Sequence, residues 1–396
     1  MSSEPSIEVT IERILPGGYA LAHGEGKTLF VSLAAPGDVL RVRIDRIRGT
    51  IAFASIIEII KPSELRIEPP CPYFGRCGGC DFQQLGYQTQ LEAKVEIIRD
   101  CLRRIAKIDS PPEISIQAAP NEWHYRARAN WQLDRETKQI GYFEAGSHRV
   151  CDVEVCAVLH PRLEGVLEGI RREIRAGAIT ELPRDVRAAV AEDGVSVAPA
   201  LAGFETEDLS RSFAGETYWF NADSFFQVNP DLLESLLKYA IGDVKGELAL
   251  DLYCGAGLFT LPLARRFSQV VALEVNAHAT AFARRNLDSA KLSNVNIVTA
   301  NVSEWLRQHA VSLTSVDFLL LDPPRTGAEN AVIKGILDLH PKRISYVSCD
   351  PATLARDLKK LIAAGYSLDS IAAFDMFPQT HHVETVVLLH TEQTRP

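Results

Sequence analysis

The chain has 396 residues, 46% of them hydrophobic and 23% charged, with eight cysteines and a net charge of −9. That length exceeds what one core serves, so two or three domains are expected, and the composition excludes a disordered or fibrous chain. The longest apolar runs, SIIEII and DFLLLD, are strand-sized and too short to span a bilayer, so no membrane partner is expected. The first residues, MSSEPSIEVT, lack the basic-then-apolar layout of a secretory signal. A cytoplasmic protein follows, whose cysteines serve as metal ligands, catalytic thiols or core fillers rather than as disulfides.

Residues 6–60 alternate apolar and polar in short runs separated by PGGYALAHGEGK and Pro36-Gly37-Asp38, the pattern of a small β-barrel. Within them RVRIDRIRG carries Arg41, Arg43, Arg46 and Arg48; a second basic run, WHYRARANWQL, sets His124, Arg126 and Arg128 among aromatics. Arginine interleaved with aromatics suits single-stranded RNA, and a solvated strand face with its aromatics in the core suits the same pattern. The net negative charge weighs against nucleic acid only weakly, because one basic face can coexist with an acidic remainder. Lys61-Pro62-Ser63 reads as a linker.

Next comes CPYFGRCGGCDFQQL, with Cys71, Cys77 and Cys80 inside ten residues. Three thiolates so spaced point to zinc or to an iron–sulfur cluster lacking its fourth ligand. Leu91, Val95, Ile98, Leu102 and Ile105 then form one helical stripe, which Asp109-Ser110-Pro111-Pro112 ends. Residues 113 to about 220 read as mixed strands and helices.

From about residue 246 apolar strands alternate with helical stretches, predicting an α/β, mostly parallel sheet whose last two strands pair antiparallel at one edge. DLYCGAGLFTLPLA runs from a strand through a glycine turn into a helix, and Glu274 ends the next strand. Gly255 and Gly257 admit a ligand close to the backbone, and Glu274 suits ribose hydroxyls. Thr260 stands where a third glycine would serve a pyrophosphate, which favours an adenosyl ligand without one. LDPPRTG puts Asp322 at a strand C-terminus, where it can bond a base or cofactor; Arg325 replaces the aromatic that amine methylation would use. YVSCDPATLARDL sets Cys349 at a strand–helix junction, where a helix N-terminus favours thiolate. Glu384, flanked by apolar residues, suits a base of raised pKa. Together these groups fit methylation of a pyrimidine C5: a thiolate adds to C6, C5 takes the methyl, and a base removes the C5 proton.

Over nearly its whole length the sequence resembles the RNA uracil-C5 methyltransferases, in the branch with an N-terminal TRAM domain and an iron–sulfur cluster. The resemblance rests on CPYFGRCGGCDFQQL, FFQVNPDL, DLYCGAGLFTL, LDPPRTG, VSCDPATLARDL and HHVET. It implies a Rossmann-like S-adenosylmethionine-dependent methyltransferase domain over 221–396. It further implies an OB-like, RNA-binding barrel over 1–62 and a central α+β domain over 63–220 that holds a [4Fe-4S] cluster, with its helix near 86–108 packing on the catalytic domain. Cys349 is then nucleophile and Glu384 proton acceptor; Gln227, Tyr253, Glu274, Asn301 and Asp322 contact S-adenosylmethionine or shape its site. Leu258, where many members carry a polar residue, stays outside the site. The family's fourth cluster cysteine falls in HRVCDVEVCAVLHP, which offers Cys151 and Cys156; its place a few residues before a proline favours Cys156. Four cysteines imply a closed cluster rather than one that cleaves S-adenosylmethionine. The branch implies ribosomal RNA (23S) as substrate, with tRNA as the alternative, and a monomer suffices. Two other classes remain: a methyltransferase acting on amino groups or cytosine, and a catalytically silent RNA-binding protein.

Overall fold

The computed structural model describes residues 6–310, 313 and 315–391; the outermost residues of the first and last predicted domains, 1–5 and 392–396, lie outside the described residues. Strands β1 (Ser6–Ile14), β2 (Ala20–Gly24), β3 (Lys27–Val31), β4 (Val39–Arg48) and β5 (Ile51–Lys61) close into a barrel in the order β1-β2-β3-β5-β4. Alternation drives this: β1 buries Ile7, Val9 and Ile11 and exposes the residues between them. The basic run on β4 faces solvent, and the Arg46 guanidinium lies 4.3 Å from the centre of the Phe53 ring, which packs edge-on against Tyr19 and Phe30. The linker is fastened to the barrel at Asp38, fully buried, which accepts from Arg66 Nη2 at 2.6 Å and from the Ala35 and Ser63 amides at 2.7 and 2.9 Å. Burial pushes that carboxyl up, but Arg66 and the two amides outweigh it and hold it below the usual carboxylate range.

Helix α1 (Tyr87–Cys101) runs into a π-helical turn over Leu102–Ala106, and β6 (Ile114–Gln117) follows. The stripe Leu91, Val95, Ile98 and Leu102 is buried, and its last three residues share one core with the large C-terminal sheet. Lys94 and Asp375, both fully buried, pair across that junction. Breaking such a pair from one side costs about 3–5 kcal/mol. Strands β7 (Arg128–Asp134), β8 (Gln139–Phe143) and β9 (Val150–Asp152) lead into helix α2 (Pro161–Ala176). With β10 (Asp185–Val190) and β11 (Val195–Ala198) they form a sheet ordered β11-β10-β7-β8-β9. Here α2 buries Leu163, Leu167, Ile170 and Ile174 in the core that holds Trp131. Trp131 and Tyr125 are therefore core residues rather than stacking platforms, which decides half of the second basic run. A ribbon of β12 (Leu209–Phe213) and β13 (Glu216–Phe220), then α3 (Leu233–Ile241), lead into the C-terminal α/β region.

There strands and helices alternate: β14 (Gly246–Leu252), α4 (Thr260–Ala264), β15 (Phe267–Glu274), α5 (Ala277–Ser289), β16 (Val295–Thr299) and α6 (Val302–His309). The series continues with β17 (Phe318–Leu321), α7 (Asn330–Leu339), β18 (Arg343–Ser348), α8 (Pro351–Ala363), β19 (Ser367–Phe374) and β20 (Glu384–His390). The eight-stranded sheet has the order β16-β15-β14-β17-β18-β20-β19-β6. With helices on both faces, central strands lose their alternation, and FLLL of β17 is buried throughout. The expected antiparallel pair β19–β20 forms, but not at the edge, because β6 adds parallel to β19 from some 250 residues upstream. Moreover β20 inserts between β18 and β19, antiparallel to both. Among the described residues no helix is long and apolar enough to cross a membrane.

Candidate active site

The sheet's strand C-termini gather the candidate residues. After β14 the chain turns through Tyr253, Gly255 and Gly257, all left-handed at φ 67, 53 and 91°. A Cβ at Gly255 would meet nothing within 4 Å, so the turn opens onto free space, whereas one at Gly257 would come within 3.6 Å of the Ala283 backbone. Glu274 braces the turn: its carboxylate accepts from the Gly255 amide at 3.2 Å and from the Asn276 amide at 2.8 Å. The helix that follows is only the five residues of α4, and Leu258 is buried in the core, its carbonyl accepting from Tyr218.

Beneath the turn lies Asp251, unremarked in the sequence although it opens the DLYCGAG motif. It is fully buried, accepts from Thr260 Oγ1 at 2.5 Å on one oxygen, and has no partner on Oδ1. Burial, aided by the Glu274 charge and opposed by Thr260, pushes its carboxyl up to about 7. Burial and then the charge of Asp251 lift Asp322, at the end of β17, to about 7 as well. Gln227 is buried in the segment after β13. Asn301 lies at the far side, where Ala300 donates to the Glu274 carbonyl. Its Oδ1 caps α6 by accepting from the Ser303 and Glu304 amides at 2.9 and 3.2 Å, which leaves its Nδ2 hydrogens as donors for a ligand.

Cys349 follows β18 and is half-buried; Glu384 begins β20 at 3% exposure, with Oε1 unpartnered. The antiparallel register pairs Ser348 with Thr385, so one step further Cys349 stands opposite Glu384. Burial, then Glu384, pushes the Cys349 thiol up to about 12, with Arg325 pulling the other way. Burial, then Asp322, drives the Glu384 carboxyl well above its ordinary value, again opposed by Arg325. The raised carboxyl agrees with the apolar flanks of Glu384. The thiol does not follow the helix-terminus expectation: desolvation and the charges of Glu384, Asp322 and Asp350 outweigh that dipole and the pull of Arg325. Arg325, marked in the sequence only as replacing an aromatic, lowers the pKa of both Cys349 and Glu384 through its charge.

A groove leads from Arg325 and His382 to Arg126, Arg128, Arg187 and Phe225. Phe225 is 62% exposed, unusual for so large an apolar side chain. Arg128 fastens the groove floor by donating to the Asn221 and Ala222 carbonyls at 3.1 and 3.0 Å.

Cys71, Cys77, Cys80 and Cys156 line one pocket, together with Arg126. Cys151 is apart: 1% exposed, it accepts from Arg76 Nε at 3.2 Å. Arg126 Nε is buried without a partner. Burial pushes Cys80 up to about 12 and raises Cys156, in both cases against the pull of Arg126. Among the described residues no three His, Cys, Asp or Glu side chains meet closely enough to hold a single metal ion. The half-buried Arg126, with its idle Nε donor, shares this pocket with the four thiols.

Known proteins place this architecture. The profile of the tRNA (Uracil-5-)-methyltransferase family matches residues 206–392. The 23S rRNA (uracil(1939)-C(5))-methyltransferase RlmD of Pectobacterium atrosepticum is 33% identical, over 97% of this chain and 93% of its own. An uncharacterized RNA methyltransferase of Thermosynechococcus vestitus is 32% identical over 98% of both chains. The crystal structure of Pyrococcus abyssi tRNA (uracil-54, C5)-methyltransferase, in complex with S-adenosyl-L-homocysteine, superposes with a TM-score of 0.75 and 25% identity, covering 96% of this chain and all of that one. With likeness of this extent to both, the chain belongs to the S-adenosylmethionine-dependent RNA uracil-C5 methyltransferase family.

Proposed function

We propose that this chain methylates C5 of a uridine in 23S ribosomal RNA, with Cys349 as nucleophile and Glu384 as base. The observation that supports this reading most is the β18–β20 register, which pairs Ser348 with Thr385 and, continued by one residue, puts Cys349 opposite Glu384. Unaided, uracil C5 is a poor nucleophile. The Cys349 thiolate adds to C6, and the C5–C6 electron pair becomes an enolate that makes C5 reactive. S-adenosylmethionine, when bound, supplies the electrophilic methyl group. C5 then carries both hydrogen and methyl. Glu384 removes that proton, the freed pair re-forms the C5–C6 double bond, and the Cys349 sulfur leaves. Tyr253, Glu274, Asn301, Gln227 and Asp322 are the groups we assign to S-adenosylmethionine. The unpartnered Asp251 Oδ1 and the empty space above Gly255 support a polar ligand there. The barrel, as a TRAM module, and the arginine groove would hold the RNA. One chain carries every group the reaction needs, so we read it as a monomer working in the cytoplasm.

Ribosomal over transfer RNA rests on the 33% identity to the enzyme named for 23S rRNA, against 25% to the enzyme named for tRNA. Incubation with unmodified 23S rRNA and with unmodified tRNA, followed by mapping of 5-methyluridine, is expected to yield product in the ribosomal RNA. Product in tRNA alone would transfer the assignment.

A [4Fe-4S] cluster on Cys71, Cys77, Cys80 and Cys156 completes the proposal, supported by the four cysteines lining one pocket and by the idle Arg126 donor beside them. Such a cluster would fasten the central domain beside the groove. Anaerobically purified protein is expected to contain four iron and four acid-labile sulfide per chain (numbers set by the cluster, roughly). Cys156→Ser should lose most of both while Cys151→Ser keeps them. Stoichiometric zinc, or the reverse pattern of loss, would refute the ligand set.

A further inference from the structure

The segment before the proposed base takes much of its hydrogen bonding from residues outside the catalytic domain. Residues 375–383 connect β19 to Glu384. At their centre Gln379 is 1% exposed and left-handed, with φ 68°, a strained conformation for a side chain of that size. It persists because the surroundings over-determine it. The Gln379 amide donates to Gln90 Oε1 at 2.9 Å, and its side chain accepts from Gln90 Nε2 at 2.9 Å and donates to Glu122 at 3.1 Å. Its carbonyl accepts from the Asp81 and Phe82 amides at 3.1 and 3.0 Å. Lys94 donates to the Phe377 carbonyl and Tyr125 to that of Pro378, both at 3.0 Å.

The tightest clasp is Asp81, which immediately follows Cys80. Its Oδ1 accepts from the His381 amide at 2.8 Å, and its Oδ2 lies 2.5 Å from His381 Nδ1. The barrel closes over this pair. Gly18 is left-handed at φ 78°, and a Cβ there would come within 2.8 Å of Asp81 Oδ2 and 3.0 Å of His381 Nδ1. Three parts of the chain thus meet on one carboxylate. The His381 ring in turn lies 4.1 Å, centre to centre, from that of His382, which lines the groove, and Glu384 is two residues on.

We propose that Asp81 is a positioning residue for the methylation reaction: by clasping His381 it fixes segment 375–383, and with it the alignment of Glu384 on the C5 proton. The inference rests on the reading of Glu384 as base. It ties the loop that carries three of the cluster cysteines to the elimination step rather than only to RNA binding.

The test uses full-length holoenzyme and target RNA. Asp81→Ala is expected to lower kcat roughly 10- to 100-fold, the usual penalty for misplacing a reacting group by about 1 Å, with KM for RNA within about twofold. Iron content should match wild type. Because nucleophilic addition and methyl transfer precede the impaired step, the variant should accumulate a denaturation-resistant protein–RNA adduct on ordinary uridine RNA. On a Glu384→Gln background the same substitution should cause no further loss. His381→Ala, which cuts the side-chain bond from the other end, should reproduce the adduct if Asp81→Ala folds poorly. Unchanged kcat, a loss with no adduct, or full additivity with Glu384→Gln would overturn the proposal. Wild-type enzyme that forms no adduct with 5-fluorouridine RNA would instead overturn the reading of the site itself, which separates the two failures.

Discussion

Cys349→Ala is expected to abolish methyl transfer, by on the order of 10⁴-fold or more, while leaving S-adenosylmethionine binding intact. The expectation follows from the chemistry of the ring: without a covalent bond at C6, C5 has no enolate to react from. Only Cys349 is half-buried at the strand ends where Glu384, Asp322 and Arg325 act on one thiol. The nearby Cys254 is buried in the turn. Target RNA carrying 5-fluorouridine should be trapped on wild-type enzyme after methyl transfer, because fluorine cannot leave as a proton does, and peptide mapping should locate the bond at Cys349. A trapped adduct at any other residue would reassign the nucleophile. The pH dependence has a definite sign. Burial and the Glu384 charge hold the thiol protonated, up to about 12, so the reactive thiolate is a small fraction at neutral pH and grows with pH. Single-turnover rates at constant salt should therefore climb from about pH 6 to about pH 9 without a plateau. A plateau beginning near neutrality would mean that bound RNA releases the thiol from its neighbours.

Glu384→Gln is expected to slow turnover by about 10²- to 10⁴-fold, the range for loss of a general base, and to do so after methyl transfer. Ordinary uridine RNA should then remain attached to Cys349 with its methyl group in place, detectable as a radiolabelled adduct from S-adenosylmethionine. The isosteric amide preserves shape, and the unpartnered Oε1 means that no hydrogen bond is broken there. Stability supplies an independent check. The folded-state pKa of Glu384 lies well above its ordinary value of 4.5 because of burial and Asp322, so ionising it in the folded chain is unfavourable. The native state binds more protons there than the unfolded state, and stability falls as pH rises through and above that ordinary value. A neutral amide removes the penalty. The variant should melt higher than wild type at neutral pH, and the difference should shrink as pH falls toward 4.5. Loss of turnover together with gain in melting temperature is what a site strained for function predicts, and a destabilised variant would contradict it.

Much of the molecule was legible in the residues. Alternation in the first sixty predicted a barrel because a strand with one wet face must repeat with period two, and β1 does so. Apolar strands alternating with helical stretches after residue 246 predicted a mostly parallel sheet, and FLLL of β17 is buried throughout because helices leave neither face to water. The glycine turn, Glu274, Asp322 and Cys349 were singled out by type and position at strand C-termini, where such sheets present ligands, and Glu384 by the apolar residues around it. Less legible was electrostatic context. Asp251 and Arg325 stood in quoted motifs, yet their effect depends on burial and on distances across strands. The second basic run shows the same limit: its arginines line the groove and the cysteine pocket, while Tyr125 and Trp131 turned out to be core.

The sequence by itself determined the local elements and the inventory of reactive groups, because hydrophobic period, turn chemistry and side-chain type are properties of neighbours in the chain. Which groups meet was decided by long-range pairing. Had β19 and β20 formed an edge pair in chain order, Glu384 would have stood one strand away from Cys349. Instead β20 inserts beside β18 and β6 takes the outer place, so the register brings Glu384 toward Cys349 across a single pair of strands. The same pairing, with α1 and the Asp81 loop folded over residues 375–383, sets the base through contacts some 300 residues apart in the chain. No local pattern encodes such contacts, since they exist only once the apolar faces of distant segments have found a common core.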